Sequence, residues 1–146
     1  MKNQLNNKTI VFSCSDKRLT FTLSEFIKER LRLAEGEFFP FLFPGASAIL
    51  AYNPGSSIYI TIMTAINFLV KKEGVGKIVV IGHQNCRFYE YLYGKLVGPD
   101  REKQDTRVAG LRLARQFSQL KIKMFFASLS RDNSLFFDTF EEVSWE

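Results

Sequence analysis

Two cysteines and one histidine occur in the 146 residues, and all three fall within two short phrases. Residues 11–20 read VFSCSDKRLT and residues 79–86 read VVIGHQNC. In the first, Cys14, Asp16 and Arg18 stand at alternate positions. In the second, two residues separate His83 from Cys86. Two thiolates and one imidazole are a favoured ligand set for zinc, and three protein ligands leave a fourth coordination position open for chemistry. Cys14 and Cys86 lie too far apart for a local zinc-finger hairpin, so only the fold can join them. In extended chain, side chains two apart point the same way. Cys14, Asp16 and Arg18 are therefore expected on one face if the strand runs on past its cysteine. Arg18 would keep Asp16 ionised through two parallel hydrogen bonds. A carboxylate fixed beside a metal can accept a proton from bound water or hydroxide. It can also bind the metal directly and close the site. A buried cysteine is often only a small apolar residue, and a lone histidine is more often structural than a ligand. Against coincidence stands the placement of all three at the ends of expected parallel strands.

Those strands follow from the apolar pattern. KTIVFSC is a short β-branched run bounded by polar residues, hence a buried strand. Thr22 and Glu25 have capping-box spacing; the helix they open would turn Leu23, Phe26, Ile27 and Leu31 inward and stop near Gly36. EFFPFLF reads as a second strand, with Pro40 arguing for an edge position or a bulge. PGASA is a loop or tight turn. NPGSS introduces a helix over 57–72, ended by Lys71, Lys72 and Gly74. KIVVIGH is the next buried strand, and a short aromatic helix follows Cys86. GPDREKQDT reads as exposed turn and helix start. Val108, Leu111, Ala114, Phe117 and Leu120 form an amphipathic stripe. KIKMFFASL is another strand, RDN a turn, and SLFFDTF an antiparallel return. The expectation is an α/β fold: a mainly parallel sheet of about four to five strands, helices on both faces, and the last strand antiparallel at the edge. Right-handed crossovers bring the strands' carboxyl ends to one rim, where ligands bind.

The bulk composition narrows the class. The length fits one domain, 1–146, with a single core. Net charge is +5, but basic and acidic residues alternate, as in DREKQDTR, so a solvated surface explains it and no nucleic-acid partner is expected. The longest greasy segment, 58–70, is too short to span a bilayer. The N-terminus lacks an apolar leader. A cytoplasmic protein without membrane association is the expectation, in which free thiols are metal ligands or catalysts more often than disulfides. Phenylalanine, at 15 residues, is abundant; Phe38, Phe39, Phe41 and Phe43 cannot share one face of a strand, so core packing plus an intersubunit contact is expected.

The two phrases resemble the metal motif of the β-class carbonic anhydrases, C-x-D-x-R followed one crossover later by H-x-x-C. The flanks RLT and KIVVIGH are similar as well, and the resemblance covers residues 9–86 best. It implies a zinc enzyme with Cys14, His83 and Cys86 as ligands. It also implies that Asp16 and Arg18 orient a zinc-bound hydroxide, which attacks carbon dioxide to give bicarbonate. It implies a homodimer or a higher homo-oligomer. Arg87 stands where the family usually has glycine, and the family's N-terminal helical arm is expected to be absent because Cys14 comes early. With no second histidine, Tyr89, Tyr91, Tyr93 or buffer would carry protons. Other readings remain open: a zinc protein without catalysis whose site Asp16 closes, a hydrolase of a related small linear molecule, or a metal-free redox dithiol.

Overall fold

In the computed structural model, which describes residues 7–129 and 136–145, the apolar run after Lys8 becomes the first strand of a five-stranded sheet. The elements are β1 (Lys8–Ser13), α1 (Lys17–Glu29), β2 (Phe38–Leu42), α2 (Ser47–Tyr52), α3 (Ser57–Lys72), β3 (Val75–His83), α4 (Arg87–Tyr93), α5 (Pro99–Gln116), β4 (Lys121–Ser128) and β5 (Thr139–Glu142). The strand order is β2-β1-β3-β4-β5. Every pairing is parallel except β4 with β5. The expected α/β sheet, with an antiparallel strand at one edge, is therefore present. β2 forms the other edge, where Pro40 costs no ladder bond on its open side.

Register explains the layering. Phe41, Phe12, Val80 and Met124 are successive partners across β2, β1, β3 and β4, so they share one face. Phe125, the next residue on β4, must point to the opposite face. α1 covers that opposite face, its Phe26 ring meeting Phe125 edge-on at 5.1 Å. α5 packs on the first face so closely that a Cβ on Gly110 would sit 2.3 Å from the Met124 sulfur. α2 touches both α3 and α5. Arg112 of α5 donates to the last carbonyls of α2, Leu50 at 2.5 Å and Ala51 at 2.8 Å, a cation where the helix dipole favours one.

Several local expectations are corrected. α1 begins at Lys17, not at Thr22: Asp16 is its N-cap, and the Thr22 hydroxyl donates to the Leu19 carbonyl inside the helix. Aspartate is a strong N-cap because its short carboxylate reaches the free amides of the first turn. The helix stops at Glu29, and Arg32, at φ 57°, turns the chain before Gly36 does. The PGASA loop runs directly into α2, which is too short to show a periodicity. The expected stripe holds at its end and fails at its start: Phe117 and Leu120, just past α5, are buried and Ala114 packs on the core, but Val108 and Leu111 are off the inner face of the helix. Leu111 is 39% exposed, whereas Glu102, Asp105, Thr106, Ala109, Gly110 and Leu113 are buried. Strict spacing by threes drifts off a 3.6-residue period, and the alternating steps of four and three from Glu102 through Thr106 and Ala109 to Leu113 follow it. The stretch GPDREKQDT is accordingly not all exposed. Phe38, Phe39, Phe41 and Phe43 are all half-buried against the core. The RDN turn lies outside the described residues, and the final strand is later than SLFFDTF. Leu113→Ala is expected to cost about 2–5 kcal/mol and Leu111→Ala less than ~1 kcal/mol, read by denaturant unfolding.

Candidate metal centre

The chain leaves β1 toward β2 on one side, while β3 lies on the other, so a topological switch point opens beyond the carboxyl ends of β1 and β3. Ser13 is level with Ile81, which sets Cys14, just past β1, close to His83 at the end of β3. Cys86 returns through the turn Gln84–Asn85, with Asn85 at φ 55°. One ligand atom from each of Cys14, His83 and Cys86 lies within 4.8 Å of the others. The three residues are 6%, 3% and 4% exposed.

The imidazole is aimed. Its Nδ1 faces the Gln84 carbonyl at 2.8 Å, which makes Nδ1 the donor and leaves Nε2 with its lone pair. Nε2 is buried without a hydrogen-bond partner. An orphaned buried acceptor beside two thiols is what a metal site looks like without its ion. The donor set is one that suits zinc.

The free sulfurs are electrostatically unlike. Sharing of the Cys86 thiol proton pulls the Cys14 thiol down to about 4, against burial and helped by His83 and the Gly45 amide. Cys86 is pushed up by its bond to Cys14, by burial and by the Cys14 charge. The pair thus retains one proton that a metal ion must displace. Burial works against a charge on His83, but the neighbouring Cys14 thiolate outweighs it and raises the imidazole.

Asp16 and Arg18 meet beside this cluster, though not by strand parity. The chain turns from β1 into α1 right after Cys14; Asp16 caps the helix and Arg18 lies in its first turn. Arg18 donates from Nε to Oδ1 at 3.1 Å and from Nη2 to Oδ2 at 2.8 Å, and its backbone amide donates to Oδ1 at 2.8 Å. Burial alone would raise the Asp16 carboxyl; these bonds overcome it and hold it below the ordinary range. Nη2 also donates to the Asn85 carbonyl at 3.1 Å, tying the dyad to the H-x-x-C turn. Asp16 is not among the converging ligand atoms.

Other residues hold the arrangement. The Gly45 amide donates to Cys14 Sγ at 3.3 Å. Glu102 accepts from the Asn85 and Cys86 amides at 3.0 and 2.8 Å. Gln84 donates from its amide to the Ala127 carbonyl at 3.1 Å and accepts from Leu129 at 3.0 Å. Phe137 is fully buried, its ring 4.9 Å from His83 and 5.0 Å from the Arg18 guanidinium. Spacing alone flagged none of these four. Glu102 alone had a signal, its phase with Thr106, Ala109 and Leu113.

Beyond Cys14 and Cys86 lies an open cleft of about 620 Å³, lined in part by Asp16, Arg18, Arg87, Phe88 and Tyr91. Arg87 therefore borders the cleft. Tyr89 does not suit proton relay: its hydroxyl donates to Asp105 at 2.6 Å, and burial with that carboxylate pushes its ionisation far up. Tyr93 accepts from Arg101 at 3.2 Å, which leaves Tyr91, 83% exposed, at the cleft.

Gly45 has φ 77°, and a Cβ there would lie 2.1 Å from the Phe88 ring. Gly45→Ala is expected to cost about 1–3 kcal/mol and to move the Gly45 amide off the Cys14 sulfur. Thermal unfolding and metal retention of the variant check it.

No protein-family model matches the chain, and no curated protein matches it by sequence. Solved structures do. The Aspergillus fumigatus β-carbonic anhydrase CafA superposes with a TM-score of 0.57 at 14% identity, over 97% of this chain and 77% of that one. The fold is that of the β-carbonic anhydrases. A tetrameric β-carbonic anhydrase of Sordaria macrospora matches at TM-score 0.51 and 16% identity, over 96% of this chain and 82% of its own. The β-carbonic anhydrase CcaA matches at 0.52 and 14%, over 85% and 70%. With the β-carbonic anhydrase fold in place, the Cys14–His83–Cys86 cluster lies at the crevice where an α/β sheet of this kind binds ligands. No helix among the described residues is long and apolar enough to cross a membrane.

Proposed function

We propose that this protein is a zinc-dependent carbonic anhydrase, a single zinc domain over 1–146 that interconverts carbon dioxide and bicarbonate. One observation carries the reading. Three buried donors of the right kind converge, with His83 Nε2 unpartnered, beside an Asp16–Arg18 pair that stays outside the cluster at the edge of an open cleft. Cys14, His83 and Cys86 would hold the zinc, which would supply a Lewis acid able to bring the pKa of water toward neutrality. Everything else falls to the chain. Asp16 accepts a hydrogen bond from the attacking water and so fixes the direction of its lone pair. Arg18 keeps that carboxylate ionised and turned away from the metal ligands. The oxygen of water bonds to the carbon of carbon dioxide, one carbonyl electron pair moves onto oxygen, and the proton leaves through Tyr91 or buffer.

The closed-site reading, with Asp16 as fourth ligand, needs Asp16 to give up three hydrogen bonds from Arg18, so the open site is favoured. A homodimer or higher homo-oligomer is part of the reading, supported by the open edge of β2 and its half-buried phenylalanines and by the tetrameric Sordaria neighbour. Stopped-flow hydration of carbon dioxide tests the activity. Zinc-loaded protein is expected to exceed buffer and to accelerate as pH rises, since two thiolates make zinc a weaker acid than imidazoles do. A rate equal to buffer up to about pH 9 with zinc bound defeats the enzyme reading.

A further inference from the structure

We propose that Glu102 is a positioning residue of the metal centre, acting through the backbone of the H-x-x-C turn; the inference rests on the zinc reading above. Glu102 is 4% exposed. Both carboxylate oxygens are used, and each takes a different backbone amide. Oε1 accepts from Asn85 at 3.0 Å and Oε2 accepts from Cys86 at 2.8 Å. Among the described residues no cation forms an ion pair with it; neighbouring Arg101 pairs with Asp105 instead. A buried carboxylate without a counter-ion is costly, so its retention needs a return that an apolar residue would not give.

The return lies in the turn it grips. Asn85 sits at φ 55°, a left-handed conformation that few residues besides glycine and asparagine adopt. Only with the chain turned there does Cys86 come back toward His83 and Cys14. A single carboxylate spanning two successive amides holds both peptide planes that flank the Asn85 Cα. Its own position is fixed in turn: Glu102 lies in the first turn of α5, Thr106 donates to its carbonyl at 3.0 Å, and a Cβ on Gly82 would meet the Thr106 hydroxyl at 1.9 Å. Thus α5 is seated directly on β3, next to His83, and from that seat it holds Cys86. Glutamine cannot replace the carboxylate, because its amide nitrogen would face one of the two N–H donors and leave that donor unpaired.

The test measures metal affinity by chelator competition with zinc, together with the cobalt(II) spectrum, for wild type, Glu102→Gln and Glu102→Asp. Thermal melts of the metal-free proteins report folding. Wild type is expected to bind one zinc and to show thiolate-to-cobalt charge-transfer absorption. Glu102→Gln is expected to fold, to bind zinc about 10–100-fold more weakly and to show weakened or shifted charge transfer; Glu102→Asp, which keeps the charge but not the reach, falls between. Unchanged affinity and spectrum in Glu102→Gln overturn the proposal while leaving the zinc site intact. Failure of wild type to bind zinc overturns the zinc reading first. If neither variant folds, Glu102 belongs to the fold rather than to the site, and the proposal is equally overturned.

Discussion

Cys86→Ser is expected to leave a folded protein that no longer retains zinc through dialysis. Cys86 is one of three converging donors, and its backbone amide is held by Glu102 whatever its side chain. The loop therefore keeps its course while a soft thiolate is replaced by a hydroxyl that stays protonated near neutral pH. Residues that touch metal ligands only indirectly alter affinity by about 10–100-fold, so loss of a direct ligand is expected to exceed ~100-fold. Hydration activity should vanish with the metal. Metal content by elemental analysis, with circular dichroism to confirm the fold, checks the result. His83→Ala should behave likewise, with an added cost: Phe137 packs against the imidazole, and its removal opens a cavity in a buried place.

Asp16→Ala is expected to do the reverse, keeping zinc and losing turnover. Among the described residues the Asp16 carboxylate takes its hydrogen bonds from Arg18, and it offers none of the converging ligand atoms, so its removal should not release the ion. The loss of a positioned acceptor at the attacking water is expected to lower the hydration rate by about 10²–10⁴-fold. Some stability goes too, since Asp16 also caps α1, about 0.5–2 kcal/mol. Asp16→Asn separates the two effects: asparagine caps a helix as well as aspartate does, but it carries no charge. Turnover should fall in both variants and helix stability in the alanine variant alone. Release of zinc by Asp16→Ala would instead mark Asp16 as a ligand and the site as closed.

The dyad shows how far the sequence could be read. The convergence of Cys14, His83 and Cys86 was legible because thiols and imidazoles are scarce in this chain, Cys14 and His83 each close a β-branched run, and Cys86 follows three residues after His83. The parallel sheet follows from strands alternating with helices. The Asp16–Arg18 pair was legible as a pair, but for another reason than its geometry has: alternation along a strand suggested it, whereas an N-cap and a first helical turn produce it. The capping-box spacing of Thr22 and Glu25 pointed to a later helix start, because nothing in the local pattern shows that the chain turns directly after Cys14. Glu102 was masked because charged residues in DREKQDTR look solvated in one dimension, although its phase with Thr106, Ala109 and Leu113 is that of a buried helix face. Only docking of α5 onto β3 buries it, and that depends on contacts remote in the chain. Phe137 was hidden for the same reason, since its place between His83 and Arg18 is set by the return of the chain after β4.

Zinc-edge X-ray absorption on the purified, zinc-loaded protein probes the gathering of these donors without relying on turnover. Two sulfurs at about 2.3 Å and one imidazole nitrogen at about 2.0–2.1 Å, with a single light atom in the fourth position, are expected. A shell with fewer than two sulfurs, or a protein that holds no zinc after loading, would contradict the assignment of Cys14, His83 and Cys86 to one metal ion.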